Sequence, residues 1–277
     1  MKIGIDLGGT NVRVALVDEN GVIESIKEPC KADKSEIEIL NHIKGMIRKI
    51  LIPEVKGIGI GVPSSVDTQK GIVYNVMNIP SWKEVHLKEI LEKEFGLPVY
   101  VNNDANCFVL GEKYYGNGKP YNNIIGVTIG TGLGSGVIIN GELYIGNNTC
   151  AGEIGCPPYL DDIYERYCSS QYFVKHHNTT GAKAYELAQK GNPEALDIWN
   201  KFGEHIANLV SLIIFTYDPE AIIFGGSIAN AYELFAPAMH EKLRTFMFPK
   251  AVEKLFIGVS SVPDIAILGA ASLVKNV

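Results

Sequence analysis

The pattern that most restricts how this chain can fold occurs twice. "KIGIDL" (2–7) and "NVRVALV" (11–17) flank a "GGT" turn, and "NIIGVTIG" (123–130) and "GSGVIING" (134–141) flank "TGL". A short Gly/Thr turn joining two apolar or alternating runs predicts a β-hairpin. A third strand-like run follows each hairpin, "GVIESIKEP" at 21–29 and "GELYIG" at 141–146. Helix-periodic stretches then alternate with short buried strands. In the first half, Ile37, Leu40, Ile43, Ile47 and Ile50 predict a helix over 35–50, and "VKGIGIGVP" (55–63) a buried strand. Val85, Ile90, Leu91 and Phe95 predict a helix over 83–95, and a further strand runs up to residue 101. In the second half, Ala195, Trp199, Phe202, Ile206, Leu209 and Ile213 mark one face of a long helix. "AIIFGG" (221–226) is a strand, 229–247 a helix, "LFIGVSS" (255–261) a strand and "DIAILGAASLVK" (264–275) a final helix. Strands alternating with helices place the chain in the α/β class, and the echo predicts two similar α/β lobes. The expected division is an N-terminal lobe over 1–105 and a C-terminal lobe over 106–264, with the helix 265–277 returning to complete the first.

Composition excludes several function classes. The 277 residues are 46% hydrophobic and 20% charged, a globular balance. A net charge of −6 without Lys/Arg runs leaves no electrostatic footprint for nucleic acid and no basic membrane face. No run approaches the ~20 apolar residues of a membrane span, and "MKIGIDLGGT" lacks a signal-peptide pattern. A cytoplasmic protein is expected. Its five cysteines, Cys30, Cys107, Cys150, Cys156 and Cys168, then read as free thiols.

The glycine turns carry the first chemical signal. In "DLGGTN" (6–11) and "IGTGLGSG" (129–136) the missing side chains let successive backbone amides approach an anion, and a Thr hydroxyl adds a donor. Neither fits the P-loop or the dinucleotide fingerprint. A third turn, "FGGS" (224–227), follows a buried strand. The second signal is "VNNDANCFVLGE" (101–112), where Asn102, Asn103, Asp104 and Asn106 stand between a strand and a helix. Asn and Asp are good N-caps. A carboxylate at a helix N-terminus is also stabilised as the anion and so is ready to accept a proton.

Taken in order, these segments resemble the ROK family (repressors, open reading frames, sugar kinases). "DLGGTNVRVALVD" resembles its first phosphate loop, "NNDANC" its catalytic segment and "TIGTGLGSGVIINGELYIG" its second phosphate loop. "AGEIG" resembles its sugar-binding segment and "PEAIIFGGSI" its adenosine segment. The resemblance implies a two-lobed actin-like ATPase (ribonuclease H-like) fold, with mixed sheets flanked by helices and with nucleotide and sugar in the interlobe cleft. It implies an ATP- and Mg2+-dependent hexose kinase that transfers the γ-phosphate to a sugar hydroxyl, O6, with glucose the first-choice substrate. N-acetylhexosamine kinase, fructokinase and a weakly catalytic sugar sensor are the alternatives. Family repressors carry an added DNA-binding region, which is not expected here. A homodimer is implied. Carried over, Asp104 is the general base and Asn103 a sugar ligand, joined by Glu153, Ser64, Ser65 and Asn78. Asp6 lies near the magnesium–phosphate site. Gly8, Gly9, Thr10, Thr131 and Gly132 are phosphate contacts, and Gly225 and Gly226 form the adenosine turn. Phosphoryl transfer needs mostly positioning and charge neutralisation, which such a set supplies.

The resemblance breaks at one place. The family writes "GEIGH" followed by a C-x-C zinc knuckle, whereas this chain reads "GEIGCPPYLDDIYERYCSSQYF". Cys156 stands at the His position and the knuckle is missing. The downstream register puts Glu165 where the family has a second sugar glutamate. No structural zinc is expected; a rearranged site of Cys156, Cys168 and a His is the alternative. Packing of Tyr159, Leu160, Tyr164 and Tyr167 is expected to hold the Glu165 segment in place of the metal.

Overall fold

A computed structural model describes residues 1–275. The first hairpin forms as expected, with β1 (Lys2–Leu7) antiparallel to β2 (Asn11–Val17) and β2 antiparallel to β3 (Val22–Pro29). Helix α1 (Glu36–Ile50) starts where Ser35 and Glu38 cap each other's backbone, a reciprocal capping box. Its buried face is Ile39, Leu40, Ile43, Met46, Ile47 and Ile50. Ile37, expected on that face, is 69% exposed. Strand β4 (Ile58–Val62) then pairs parallel to β1.

A small sheet absent from the sequence reading follows: β5 (Ser65–Asp67), β6 (Ile72–Tyr74) and β7 (Glu84–Val85). It shortens the expected 83–95 helix, because Val85 pairs with Val73 and is buried there. The helix is α2 (Leu87–Phe95), and it leads to β8 (Val99–Asn103), parallel to β4. The first sheet has the order β3-β2-β1-β4-β8.

Helix α3 (Asp104–Tyr114) opens the second half. β9 (Ile124–Ile129) and β10 (Leu133–Ile139) form the second glycine hairpin. β11 is only Glu142–Leu143, shorter than the expected 141–146. Asn140 and Gly141 turn at positive φ, and pairing with β10 stops after two residues. The segment the sequence left unassigned holds β12 (Pro158–Tyr159), β13 (Asp162–Ile163), α4 (Tyr164–Tyr167), α5 (Gln171–His177) and α6 (Gly181–Gln189). α7 (Pro193–Tyr217) buries all six of its predicted face residues. β14 (Ala221–Gly225) lies parallel to β9. The expected 229–247 helix is a 3₁₀ turn (Ile228–Ala231) followed by α8 (Tyr232–Leu243). α9 (Pro249–Lys254) then precedes β15 (Phe256–Val259) and α10 (Ile265–Ser272). The second sheet runs β11-β10-β9-β14-β15, strand for strand the order of the first. The doubling read from the sequence is therefore real. The last two residues of the expected terminal helix lie outside the described residues.

Each sheet carries its own apolar cluster, and a third joins them. Ala15 and Val17 of the first sheet and Ile124, Ile138, Ala221 and Ile223 of the second pack with α3 and α10 residues such as Phe108, Val109, Ile267 and Leu268. α3 and α10 cross closely because Gly269 has no Cβ; one there would overlap the Cys107 carbonyl. This crossing fixes the starts of both helices, and with them Asp104 and Asp264, between the sheets.

Candidate functional site

Asp104 is the first residue of α3, at the C-terminal end of β8. Asn103 is the N-cap, and its Oδ1 accepts the Ala105 N–H at 2.9 Å. Asn103 Nδ2 donates to the Ser64 carbonyl at 3.3 Å, tying the helix start to the turn after β4. Behind it, Asn102 Oδ1 accepts from the Asn103 N–H (2.8 Å) and from Asn106 Nδ2 (2.9 Å). Asn102 and Asn106 are buried, so they brace the turn, and Asp104 faces outward from a rigid base.

The carboxylate opens on a cleft of about 510 Å³ between the sheets, lined by Asp6, Arg13, Asp104, Thr128, Gly225, Gly226, Ser260 and Asp264 among others. Burial pushes the Asp104 carboxyl up to about 6 from an ordinary 3.8, with Asp6 and then Glu153 adding to the rise and the Ala105 N–H opposing it. Burial likewise raises Asp6, opposed by Arg13 and reinforced by Asp264. Arg13 Nη1 donates to Asp264 Oδ1 at 2.7 Å. Arg13 is the one Lys or Arg among the described lining residues. Three carboxylates thus face one guanidinium, and two of them are pushed toward the neutral form.

Of the three glycine turns, one lines this cleft, and the residues 8–10 and 131–132 expected to contact phosphate are not among its lining residues. Gly225 and Gly226 line it directly. Gly226 has φ +85°, and a Cβ there would also overlap the Ile129 backbone, so the turn is closed to other residues. Gly8, Gly9 and Thr10 form the β1–β2 turn, where Gly8 N–H donates to the Asn11 carbonyl at 2.9 Å. Asn78 packs on Gly9 so closely that a Cβ would overlap it. Thr131 and Gly132 form the β9–β10 turn; Thr131 is exposed.

Of the residues expected to bind sugar, Ser64, Ser65, Asn78, Asn103, Glu153 and Glu165 are not among those that line the cavity. Ser64 donates its hydroxyl to the Tyr74 carbonyl, and Ser65 is exposed at the start of β5. Glu153 is exposed in the loop after β11, and its charge reaches Asp104. Burial raises the Glu153 carboxyl, the nearby Cys156 thiol opposes this, and Glu165 adds to it. Glu165 is turned onto the second glycine hairpin, with Oε2 accepting the Leu133 N–H at 3.1 Å.

Sequence reasoning missed Arg13 and Asp264. Each left a trace: Arg13 is a charge inside the apolar run "NVRVALV", and Asp264 precedes a helix it does not cap. Asp264 has φ +56°, and its side chain turns to Arg13 instead of to its own helix.

In the segment that departs from the family, Cys150 and Cys156 are exposed and Cys168 is buried. Among the described residues no group of three or more His, Cys, Asp or Glu is placed to hold a metal ion. An aromatic cluster occupies the region. Tyr159 stacks on Tyr164 at 4.2 Å, meets Tyr167 edge-on at 5.3 Å, and shares hydrogen bonds with His205 and Asn208. Leu160, expected within this packing, is 69% exposed on a turn with φ +54°.

A profile of the ROK family matches residues 2–277. Glucokinase of Thermotoga maritima is 31% identical, over 99% of this chain and 97% of its own. The xylose repressor of Bacillus spizizenii is 29% identical, over 90% of this chain and 70% of its own. A ROK family glucokinase from Streptomyces griseus, solved in complex with glucose and AMPPNP, superimposes with a TM-score of 0.82 at 25% identity, covering 98% of each chain. The fold is that of the actin-like ATPases.

Proposed function

The chain belongs to the ROK family, and from that premise we propose that it is an ATP-dependent hexose kinase that phosphorylates glucose at O6. The observation that carries this reading is Asp104, held at the head of α3 by the N-cap Asn103 and the buried Asn102 and Asn106, and opening on a cleft lined by the Gly225–Gly226 turn. Its carboxyl, near 6, is ionised at neutral pH and still basic enough to take a proton from an attacking hydroxyl. The sugar O–H bond breaks toward Asp104 as the oxygen bonds to the γ-phosphorus, and the bond to the β-phosphate oxygen breaks to release ADP. The backbone amides of Gly9, Thr10, Thr131 and Gly132 position the phosphates, since those of Gly8 and Gly130 already bond within their turns, and Gly225 and Gly226 leave a flat wall for adenosine. Asp6 would hold the magnesium ion that accompanies ATP, and that ion would neutralise charge on the transferred group; Asp264, paired with Arg13, stands beside it. Asn103, Glu153 and Glu165 are the principal sugar contacts, with Ser64, Ser65 and Asn78 around them.

Two structural lobes, 1–105 completed by the terminal helix and 106–264, close around the substrates in this reading. The protein works as a cytoplasmic homodimer and needs neither nucleic acid nor membrane. The similarity to a xylose repressor supports one alternative, a sugar-binding protein without turnover. Coupled measurement of ADP release across a hexose panel with magnesium and ATP separates the two. The kinase reading expects sugar-dependent ADP release, strongest with glucose. Sugar binding without ADP release from any hexose overturns it.

A further inference from the structure

Both carboxylate oxygens of Glu165 are engaged. Oε2 accepts the Leu133 N–H at 3.1 Å, and Oε1 accepts from Gln171 Nε2 at 3.1 Å. The same Nε2 lies 3.3 Å from the Thr131 carbonyl. A side-chain amide nitrogen carries two hydrogens, so it can make both bonds at once. One residue earlier, the Ser170 N–H donates to the Gly130 carbonyl at 2.9 Å. At the other end, the Glu165 N–H donates to the Gly155 carbonyl at 3.0 Å, two residues beyond Glu153. One side-chain pair thus spans the turn 130–133 and the loop that carries Glu153. Gly132 leaves the room for it: a Cβ there would sit 2.8 Å from Glu165 Oε2.

We propose that Gln171 is a positioning residue that couples hexose binding to nucleotide binding, by locking Glu165 between the sugar loop and the second phosphate hairpin. The inference rests on the kinase reading above. A carboxylate oxygen has lone pairs left after one hydrogen bond, so a sugar hydroxyl can donate to Glu165 without displacing Leu133 or Gln171. That added bond fixes the carboxylate, which in turn fixes the Leu133 N–H and the Thr131–Gly132 amides that face phosphate. Coupling of this kind is reciprocal, so each ligand tightens the other by the same factor.

The test is calorimetric titration of a non-hydrolysable ATP analogue with magnesium, with and without saturating glucose. It is run on the wild type, Gln171→Leu and Gly132→Ala. Leu keeps the bulk of Gln171 and removes the donor. Ala at 132 meets only the carboxylate of Glu165 and moves it off Leu133, which gives a second route to the same loss. In the wild type, glucose is expected to tighten the analogue by about fivefold or more. In both variants the factor is expected to fall to within about twofold of unity. A Gln171→Leu protein that keeps the wild-type factor, or a wild type with a factor of one, overturns the coupling and leaves the kinase reading intact. A wild type that binds neither glucose nor the analogue removes the kinase reading itself.

Discussion

Replacing Asp104 with Asn is expected to abolish turnover and, at neutral pH, to stabilise the free protein. The ionised carboxylate is held in a poor place, buried and facing Asp6 and Glu153, which is why it is raised from 3.8 to about 6. At ~1.4 kcal/mol per pH unit, the gap between those values costs the folded state on the order of 3 kcal/mol once Asp104 is fully ionised. Asn has the same shape and keeps an acceptor for the Ala105 N–H, 2.8 Å away in the wild type, while giving up the charge. The sign follows from the raised value. The carboxyl favours folding most at pH below its unfolded value near 4, and that advantage is lost as pH rises through about 6. The variant's stability lead is therefore expected to be ~3 kcal/mol at pH 8, about half that at pH 5 and under about 1 kcal/mol at pH 4. Urea unfolding of both proteins at these pH values reads the lead directly. Steady-state ADP release should fall by ~10²–10⁴-fold, with glucose binding retained. A variant less stable than wild type at pH 8, or a lead that does not shrink at pH 5, refutes the electrostatic account. A kcat within about threefold of wild type refutes the general-base role.

Further outcomes follow from the same geometry. The wild-type kcat/KM is expected to lose about tenfold per pH unit below about 6, as Asp104 takes up its proton; a flat profile down to pH 5 contradicts the assignment. Gly226→Ala is expected to raise the KM for ATP and to destabilise by ~1–3 kcal/mol, because the positive φ and the Ile129 backbone both oppose a Cβ; unchanged thermal unfolding contradicts it. Protein purified without chelator is expected to carry no stoichiometric zinc, and EDTA is expected to leave its Tm unchanged, since the Tyr159–Tyr164–Tyr167 cluster packs the segment. About one zinc per chain by elemental analysis contradicts that.

Much of this molecule was legible because local rules and tertiary demands agreed. Each Gly/Thr turn joins two strands, and the apolar stripe from Ala195 to Ile213 stays helical throughout. Asp104 was legible because a strand, two Asn and a helix start leave little choice about where its side chain begins. The losses have physical causes. Val85 fits a helical stripe as well as a strand edge, and its pairing with Val73 decided the matter. Residues 147–190 carry short elements and aromatics without a sustained period, so packing sets their structure. Arg13 and Asp264 stand 251 residues apart, and only the return of α10 to the first sheet brings them together. Glu165 could be placed by register, but its hold on Leu133 depends on the closeness that Gly132 permits, which no spacing encodes.

The central claim is phosphoryl transfer to a sugar, and the most direct measurement is NMR of the reaction itself. Wild-type protein, glucose, ATP and magnesium are followed by phosphorus and proton spectra, with Asp104→Asn as the control. The account predicts one phosphorylated glucose, substituted at O6, appearing in step with ADP, and no such product from the variant. ADP accompanied only by inorganic phosphate, or glucose bound and left unchanged, contradicts it.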